Sequence, residues 1–152
     1  MKKIKLTQGK EALVDDEDFE KVNKYKWRFD HGYARTALRG SKQHIYLHRM
    51  LLQTQKGFET DHINRNKLDN RRKNLRSVTF NQNVHNRDKS KTNTSGYKGV
   101  SWFKHDKKWK AQIYVNRKNI CLGLFLTKEE AALVYDQMAI KYRGEFAYLN
   151  NA

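Results

Sequence analysis

The chain has 152 residues, enough for one ordinary domain or two very small ones, and 32 Lys and Arg against 16 Asp and Glu give a formal net charge of +16. Repulsion on this scale destabilises a compact fold, so it indicates a polyanionic partner, of which nucleic acid is the leading candidate. Because Cys121 is the one cysteine, a disulfide scaffold and a cysteine-ligated zinc finger are both excluded.

The first third of the chain predicts a small meander of short strands around one helix. Acidic residues at 15–18 are typical of a helix N-terminus, where negative charge is stabilised, and a helix is predicted from there to about Tyr25. Turns are predicted at His31-Gly32 and Gly40-Ser41. Short runs of strand-forming residues predict strands at residues 4–6, 12–14, 27–29, 33–36 and 45–47.

The middle of the chain, from Asp61 to about Lys91, is polar, basic and rich in Asn. Residues 89–95 (KSKTNTS) have the composition of a linker. We therefore predict a first domain at residues 1–88, a linker at 89–95 and a second domain at 96–152.

The last third has the clearest pattern. Residues 109–115 carry Trp, Ala, Ile and Val at every second position, as expected for a strand with one buried face. Residues 97–103 and 119–125 are predicted as the other two strands of a three-stranded antiparallel sheet.

A helix is predicted directly after this sheet. Thr127 and Glu130 form a capping box at its start, apolar residues follow at helical spacing, and Gly144 is well placed to end it. One helix covers one face of the sheet and leaves the face with the polar alternates free. The fold class predicted for the whole chain is α+β.

Between Leu47 and Arg87 a set of chemically informative residues follows in a fixed order: Leu47-His48-Arg49, Asp61-His62, Asn74-Leu75, Val78-Thr79 and Asn83. This order resembles the HNH nuclease family, in the form found in phage-encoded and intron-encoded homing enzymes. The resemblance implies a two-stranded hairpin followed by a helix (ββα-metal), wrapped round one divalent ion, Mg²⁺ or Mn²⁺. It also implies site-directed hydrolysis of DNA phosphodiester bonds, at a recipient allele that lacks the parent element.

The resemblance implies roles for single residues. His62 is expected to be the general base, since a neutral imidazole with a reference pKa of ~6.5 can accept a proton from the attacking water. Asp61 and the side-chain oxygen of Asn83 are expected to bind the ion, and Asn74 to pin the hairpin loop and orient the base. His85 is an alternative ion ligand, although the NLxxVTxxxN spacing favours Asn83.

A second set of residues extends to the C-terminal end: Tyr97-Lys98-Gly99-Val100, Trp109, Ala111, Ile113, Leu122-Gly123, Phe125, Glu129-Glu130-Ala131-Ala132, Tyr135-Asp136, Ala139, Arg143-Gly144, Ala147 and Leu149-Asn150. Residues 95–150 thus resemble the plant APETALA/ethylene-response-factor type of DNA-binding domain. The resemblance implies that the sheet lies in the major groove of DNA with the helix behind it. Most arginines that would face the bases are missing here, so the plant target sequence is not expected, and Gln112 is the residue able to read adenine.

The two resemblances imply double-stranded DNA as the partner, and no small-molecule cofactor is expected. Membrane association is not expected either, because the sequence has no long apolar run and no basic amphipathic helix. One ion site per chain predicts one strand cut per binding event, so a monomer nicks, and a double-strand break needs a weak dimer or successive nicks. The expected location is the cytoplasm of a bacterial host, for a protein encoded by a phage or mobile element. A non-catalytic DNA-binding regulator with a relic HNH fold is the main alternative, and an RNA-processing protein is the third.

Most of the predicted DNA contacts are basic residues that contact phosphates, and His48 is assigned either a structural role or such a contact. The predicted contacts are His48, Arg49, Arg71, Arg72, Lys73, Arg76, Arg87, Lys98, Ser101, Phe103, Lys110, Gln112, Tyr114, Arg117 and Lys118.

Overall fold

The computed structural model describes residues 1–37, 40 and 43–151, and it contains two compact units, Met1–Asn83 and Val84–Ala152. The described residues form four α-helices and four small antiparallel sheets. The mixed α and β class predicted from the sequence is confirmed. Within the described ranges, no helix is both long enough and apolar enough to cross a membrane.

The first unit begins with a hairpin and a short helix. Strands β1 (Lys2–Lys5) and β2 (Glu11–Val14) pair antiparallel, and helix α1 (Asp16–Asn23) follows them. Alternate strand residues and one face of the helix turn inward, which gives the unit its apolar core. The most deeply buried members of that core are Ile4, Ala12, Val14, Val22, Trp27, Ala34, Leu47 and Leu51.

A three-stranded meander follows in this unit. It consists of β3 (Arg28–Asp30), β4 (Tyr33–Ala37) and β5 (His44–Tyr46), all antiparallel, with β4 in the middle. The predicted turn at His31-Gly32 joins β3 to β4, whereas the one at Gly40-Ser41 falls partly outside the described residues.

Helix α2 (Leu47–Leu52) corrects the sequence interpretation, which continued a strand through residue 47. Leu47 and Leu51 are both buried, and they lie one helical turn apart on the same face. Six residues are too few to show helical periodicity in the sequence, so the burial of this pair is visible only in the fold.

The next elements are a hairpin and a helix. Strand β6 (Glu59–His62) pairs antiparallel with β7 (Leu75–Val78), so that Asp61 lies opposite Arg76. Helix α3 (Phe80–Asn86) follows at once. Its first turn is capped reciprocally, because the Gln82 backbone donates to the Thr79 hydroxyl while the Thr79 backbone donates to the Gln82 side chain.

The second unit is a three-stranded antiparallel sheet with a helix on one face. Strands β8 (Val100–Phe103), β9 (Lys108–Val115) and β10 (Lys118–Phe125) are arranged with β9 in the middle. Strand β8 begins at Val100 and not at residue 97, because residues 96–99 form a turn in which Gly96 and Gly99 have positive φ.

Helix α4 (Lys128–Arg143) packs against this sheet through small residues and one large aromatic ring. The predicted capping box of Thr127 and Glu130 is present, and Gly144 is the C-cap residue. Both predictions are therefore confirmed. The contact between helix and sheet is made mainly by Val100, Ala111, Ile113, Ala131, Ala132, Tyr135 and Ala139.

Gly99 is expected to be irreplaceable for steric reasons, whereas Gly96 is not. A Cβ on Gly99 would overlap the Tyr135 ring and lie 2.8 Å from the Gln112 carbonyl oxygen, while a Cβ on Gly96 would meet open space. Both have positive φ, which costs a non-glycine residue roughly 1–2 kcal/mol. Gly96→Ala should lose about that much in urea unfolding, and Gly99→Ala about 1–3 kcal/mol more through overpacking. Equal losses would contradict the packing described for α4.

Candidate active site

Strand β6 carries two buried polar side chains in succession. Asp61 is 6% exposed and His62 is 5% exposed. Consecutive residues of a strand point to opposite faces, so the two side chains leave β6 on different sides, while Glu59 and Asp61 share a side. Glu59 and Asp61 thus form a carboxylate pair on one side of β6, and His62 is the last residue of the strand.

The loop between β6 and β7 is held by the side chain of Asn74. The Asn74 amide oxygen accepts the backbone N–H of Asn64 at 2.9 Å, and its amide nitrogen donates to the carbonyl of Asp69 at 2.7 Å. The Asn64 side chain in turn donates to the Asp69 carboxylate at 2.9 Å. One buried amide thus joins both halves of the loop.

The same loop is attached to the start of the chain. The Leu13 backbone N–H donates to the carbonyl of Leu68 at 2.7 Å, and the Asn70 N–H donates to the carbonyl of Leu13 at 2.8 Å. Arg72 donates from its guanidinium to both oxygens of Asp18 at 2.7 Å, and from its backbone to Asp15 at 2.7 Å. The acidic residues that indicated a helix start in the sequence therefore also fix the active-site loop.

His62 is positioned by this loop. Its Nε2 lies 3.3 Å from Oδ1 of Asn70, and the Asn70 amide nitrogen donates to the carbonyl of Lys67. An amide oxygen can only accept, so this contact is a hydrogen bond when the proton is on Nε2, and the lone pair is then on Nδ1. Burial lowers the pKa of His62, against the opposing effects of Asn70 and of the Asp61 and Asp69 carboxylates, so the ring is neutral near pH 7.

Aromatic rings surround His62 on one side. The His48 ring lies 5.0 Å from the His62 ring and 5.5 Å from that of Tyr46, and Tyr33 contacts both histidines. His48 is 6% exposed, and burial, with repulsion from His62 and Arg49, lowers its pKa to about 3. A buried, neutral ring favours the structural role for His48 over a contact with phosphate.

Three arginines of the loop and hairpin are paired with carboxylates. Arg76 donates from Nε and Nη2 to the same Asp61 oxygen, each at 2.9 Å, while Arg71 forms two bonds with Asp69 and Arg72 binds Asp18. These pairings satisfy buried charges. DNA contacts by these three arginines, and by Arg49, Lys73 and Arg87, stay predictions.

Helix α3 brings Asn83 to strand β6. The Asn83 side-chain nitrogen donates to a carboxylate oxygen of Glu59, two residues before Asp61. His85, the alternative ligand, belongs to the second compact unit. Burial lowers the pKa of His85, and so do the charges of Arg143 and Lys98. The structure therefore brings Asn83 to the Asp61 side of β6, whereas two cations, Arg143 and Lys98, act on His85.

The strand register gathers the predicted base-facing residues of the second unit on one face. Ser101 pairs with Lys110 and Cys121 with Gln112, so these four side chains lie on the same side of the sheet. Phe103 and Tyr114 alternate onto that side too, and Tyr114 is 56% exposed. This is the face opposite to the one that packs on α4.

The other basic residues of the second unit that were predicted to contact DNA differ in their exposure. Arg117 and Lys118 are exposed at the turn between β9 and β10. Lys98 is half-buried, and its ammonium group donates to the carbonyls of His85 and Arg87 within the second unit.

Sequence reasoning missed two residues next to the catalytic candidates. Asn70 lies in the Asn-rich stretch and was assigned no role in the site, but its side chain contacts His62. Glu59 was not singled out at all. Its signal was its spacing of two from Asp61, which places both carboxylates on one side of a strand. Among the described residues, no group of three or more His, Cys, Asp or Glu side chains is arranged to hold a metal ion.

Comparison with known proteins matches both halves of the chain. The HNH endonuclease family profile matches residues 46–85, and the AP2 domain profile matches residues 95–145. An uncharacterized HNH endonuclease of Acanthamoeba polyphaga mimivirus is 31% identical over 147 residues, covering 94% of this chain and 76% of the relative.

Two further relatives match shorter stretches of the chain. An AP2-like ethylene-responsive transcription factor of Arabidopsis thaliana is 43% identical over 58 residues, which are 37% of this chain and 17% of the factor. Protein 3.8 of Escherichia phage T7 is 38% identical over 63 residues, 41% of this chain and 52% of that protein. The chain thus spans only a small part of the plant factor.

The β6–β7 hairpin carries Asp61 and His62, and the helix that follows it carries Asn83. This part of the chain lies within the HNH endonuclease match, and the mimivirus relative is matched along most of its length. The chain belongs to the HNH endonuclease family and carries an AP2 domain in its C-terminal part.

The ion pair between Asp69 and Arg71 should make stability depend on pH. Hydrogen bonds from Arg71 lower the pKa of Asp69, which burial alone would raise. A lowered pKa means that the stabilisation is complete above the unfolded value of ~3.9 and is lost as the pH falls through the lower folded value. Asp69→Asn should lower the Tm by several degrees at pH 7, and the gap to wild type should shrink below about pH 4. The exposed Asp88→Asn is the control, and a gap that stays constant to about pH 2 would contradict this account.

Proposed function

We propose that the protein is a metal-dependent DNA endonuclease of the homing type, in which His62 is the general base and one divalent ion, Mg²⁺ or Mn²⁺, is bound by Asp61 and Asn83. The single observation that best supports this is the setting of His62. Its ring is buried, burial lowers its pKa so that the ring is neutral near pH 7, and its Nε2 lies 3.3 Å from Oδ1 of Asn70. That is the protonation state a base needs at neutral pH.

The donor set fits a hard divalent cation. Asp61 supplies a carboxylate oxygen and Asn83 an amide oxygen, and oxygen ligands are those that Mg²⁺ and Mn²⁺ prefer. The Asn83 nitrogen is turned toward Glu59, so its oxygen is the atom left for a cation. When bound, such an ion supplies charge stabilisation for the phosphoryl and departing oxygens.

Residues of the chain accept the proton and hold the site in position. Nδ1 of His62 accepts a proton from water as the water oxygen attacks phosphorus, and the bond from phosphorus to the departing oxygen breaks, with water protonating that oxygen. The imidazolium that forms is favoured by the Asp61 and Asp69 carboxylates, both of which raise the pKa of the ring. Asn70 and Asn74 keep the ring and loop in one geometry, so little reorganisation accompanies the reaction.

Asn83 is preferred to His85 as the second ion ligand for an electrostatic reason. Lys98 and Arg143 both act on the His85 ring, and their positive charge opposes a cation there. Asn83 instead faces the carboxylate of Glu59.

The C-terminal domain is proposed to grip double-stranded DNA. The face of its sheet opposite α4 carries Lys110, Gln112 and the exposed Tyr114, and Arg117 and Lys118 extend from the turn at its end. Lysine and arginine side chains there would contact phosphates, and Gln112 would approach a base edge. The description of the Arabidopsis relative as a transcription factor supports DNA as the partner of this domain.

Removal of the base tests the catalytic proposal. His62→Ala should reduce nicking of supercoiled plasmid in Mg²⁺ by about 10²–10⁴-fold, the usual contribution of general base catalysis. The matched control is His31→Asn, because His31 is exposed at a turn with positive φ, which Asn tolerates. Its activity should equal that of wild type.

The same assay separates the proposal from its alternatives. DNA binding by wild type without any cleavage of supercoiled or target DNA would favour a DNA-binding regulator with a relic HNH fold. Cleavage of structured RNA but not of DNA would favour RNA processing. Full activity in His62→Ala would show that the base is a different residue.

Salt dependence tests the DNA grip. The logarithm of DNA affinity should fall linearly with the logarithm of salt concentration, with a slope of about −0.9 for each phosphate contact. Lys110→Ala on the free sheet face should reduce that slope by about 1. Lys141→Ala, in the last turn of α4, is the control and should leave it unchanged. Equal effects of the two variants would exclude the sheet face as the DNA surface.

A further inference from the structure

Glu59, a residue without an assigned role, joins strand β6 to helix α3 by a side-chain contact near Asp61. The Asn83 amide nitrogen donates to Glu59, and Glu59 lies on the same side of β6 as Asp61. Glu59 is half-buried and Asp61 is buried. Two carboxylates and one amide therefore share one side of the hairpin.

We infer that Glu59 is a positioning residue that turns the Asn83 amide so that its oxygen, and not its nitrogen, faces the cation beside Asp61. The inference rests on the proposed function, because it needs Asn83 as an ion ligand. It concerns a different atom, however, since Glu59 acts on the nitrogen end of the amide and does not itself bind the ion.

The physical reason is the symmetry of an amide group. Its oxygen and nitrogen ends are nearly equal in shape, so packing alone does not distinguish them. An ionised carboxylate can only accept hydrogen bonds, so it admits the NH₂ end of Asn83 and rejects the oxygen end. Without this partner, rotation of the amide would direct two N–H donors at a cation for part of the time.

Other groups already fix the backbone of Asn83, so Glu59 affects mainly the orientation of the side-chain amide. The Asn83 N–H donates to the carbonyl of Thr79 at 3.0 Å, in the first turn of α3. The reciprocal bonds between Thr79 and Gln82 hold that turn. Loss of the Glu59 carboxylate should therefore change side-chain rotation more than the position of the helix.

Binding of Mn²⁺ alone, followed by the electron paramagnetic resonance signal of the free ion, tests the inference without an activity assay. Glu59→Gln should weaken Mn²⁺ binding by about 10-fold or more, as is usual for residues that orient a metal ligand. Thermal unfolding of each variant checks the fold. The control is Glu20→Gln, because Glu20 is an exposed carboxylate on α1 and should not affect binding.

A double-mutant cycle separates positioning from direct ligation. If Glu59 acts through Asn83, then Glu59→Gln added to Asn83→Ala should cause little further loss. If Glu59 binds the ion itself, the two losses should be additive, and the inference would be overturned.

The exchanged variant, Glu59→Gln combined with Asn83→Asp, provides a rescue. It reverses the direction of the hydrogen bond and keeps the total charge. An amide donor on the strand and a carboxylate oxygen on the helix should therefore restore Mn²⁺ binding to near the wild-type level. Unchanged binding in Glu59→Gln, or no rescue in the exchanged variant, would overturn the inference. Absence of Mn²⁺ binding in the wild type would instead refute the proposed ion site, and the inference with it.

Discussion

The Asn74 side chain is the constraint on which the active-site half of the molecule depends. Its amide closes the loop between β6 and β7 by one accepted and one donated hydrogen bond, both to backbone groups. The closed loop brings Asn70 to the His62 ring and Asp69 to the edge of β2. If this amide were lost, two backbone groups would lose their partners together, and the ring would lose its orientation.

Some basic side chains of the protein are paired with carboxylates, and others are exposed. In the first unit, Arg71, Arg72 and Arg76 are each bound to a carboxylate that is itself buried. In the second unit, Arg117 and Lys118 are exposed at the end of the sheet. Arg71 and Arg72 thus stabilise the loop, and Arg76 joins the two strands of the hairpin. The net charge alone could not reveal which basic residues are paired.

The sequence predicted well those features that depend on neighbours along the chain. The capping box at Thr127 and the end of α4 at Gly144 are local, and both are confirmed. Helix α2 was missed because its evidence is burial of Leu47 and Leu51 in a core assembled from distant segments. For the same reason the pairing of Arg72 with Asp18, 54 residues apart, could not be read from the sequence.

The candidate site shows the same limit within a few residues. The order of Asp61, His62, Asn74 and Asn83 could be recognised in the sequence, but the groups that orient them could not. Asn70 resembles any loop asparagine until the loop closes, and Glu59 resembles any strand carboxylate until α3 returns to β6. The sequence shows which residue could react. The protonation state and orientation of its side chain, however, depend on a hydrogen-bond partner that the fold brings to it.

The first unit therefore has a core that is partly a polar network. Asp18, Asp61, His62, Asp69, Asn70 and Asn74 are all buried in it, beside its apolar residues. Each such group is tolerated only while it keeps a hydrogen-bond or ionic partner, because an unpaired buried polar group costs about 1–3 kcal/mol. The partners that keep the loop folded are the same ones that set the state of His62. The stability of the loop and the orientation of the His62 ring consequently depend on one set of hydrogen bonds.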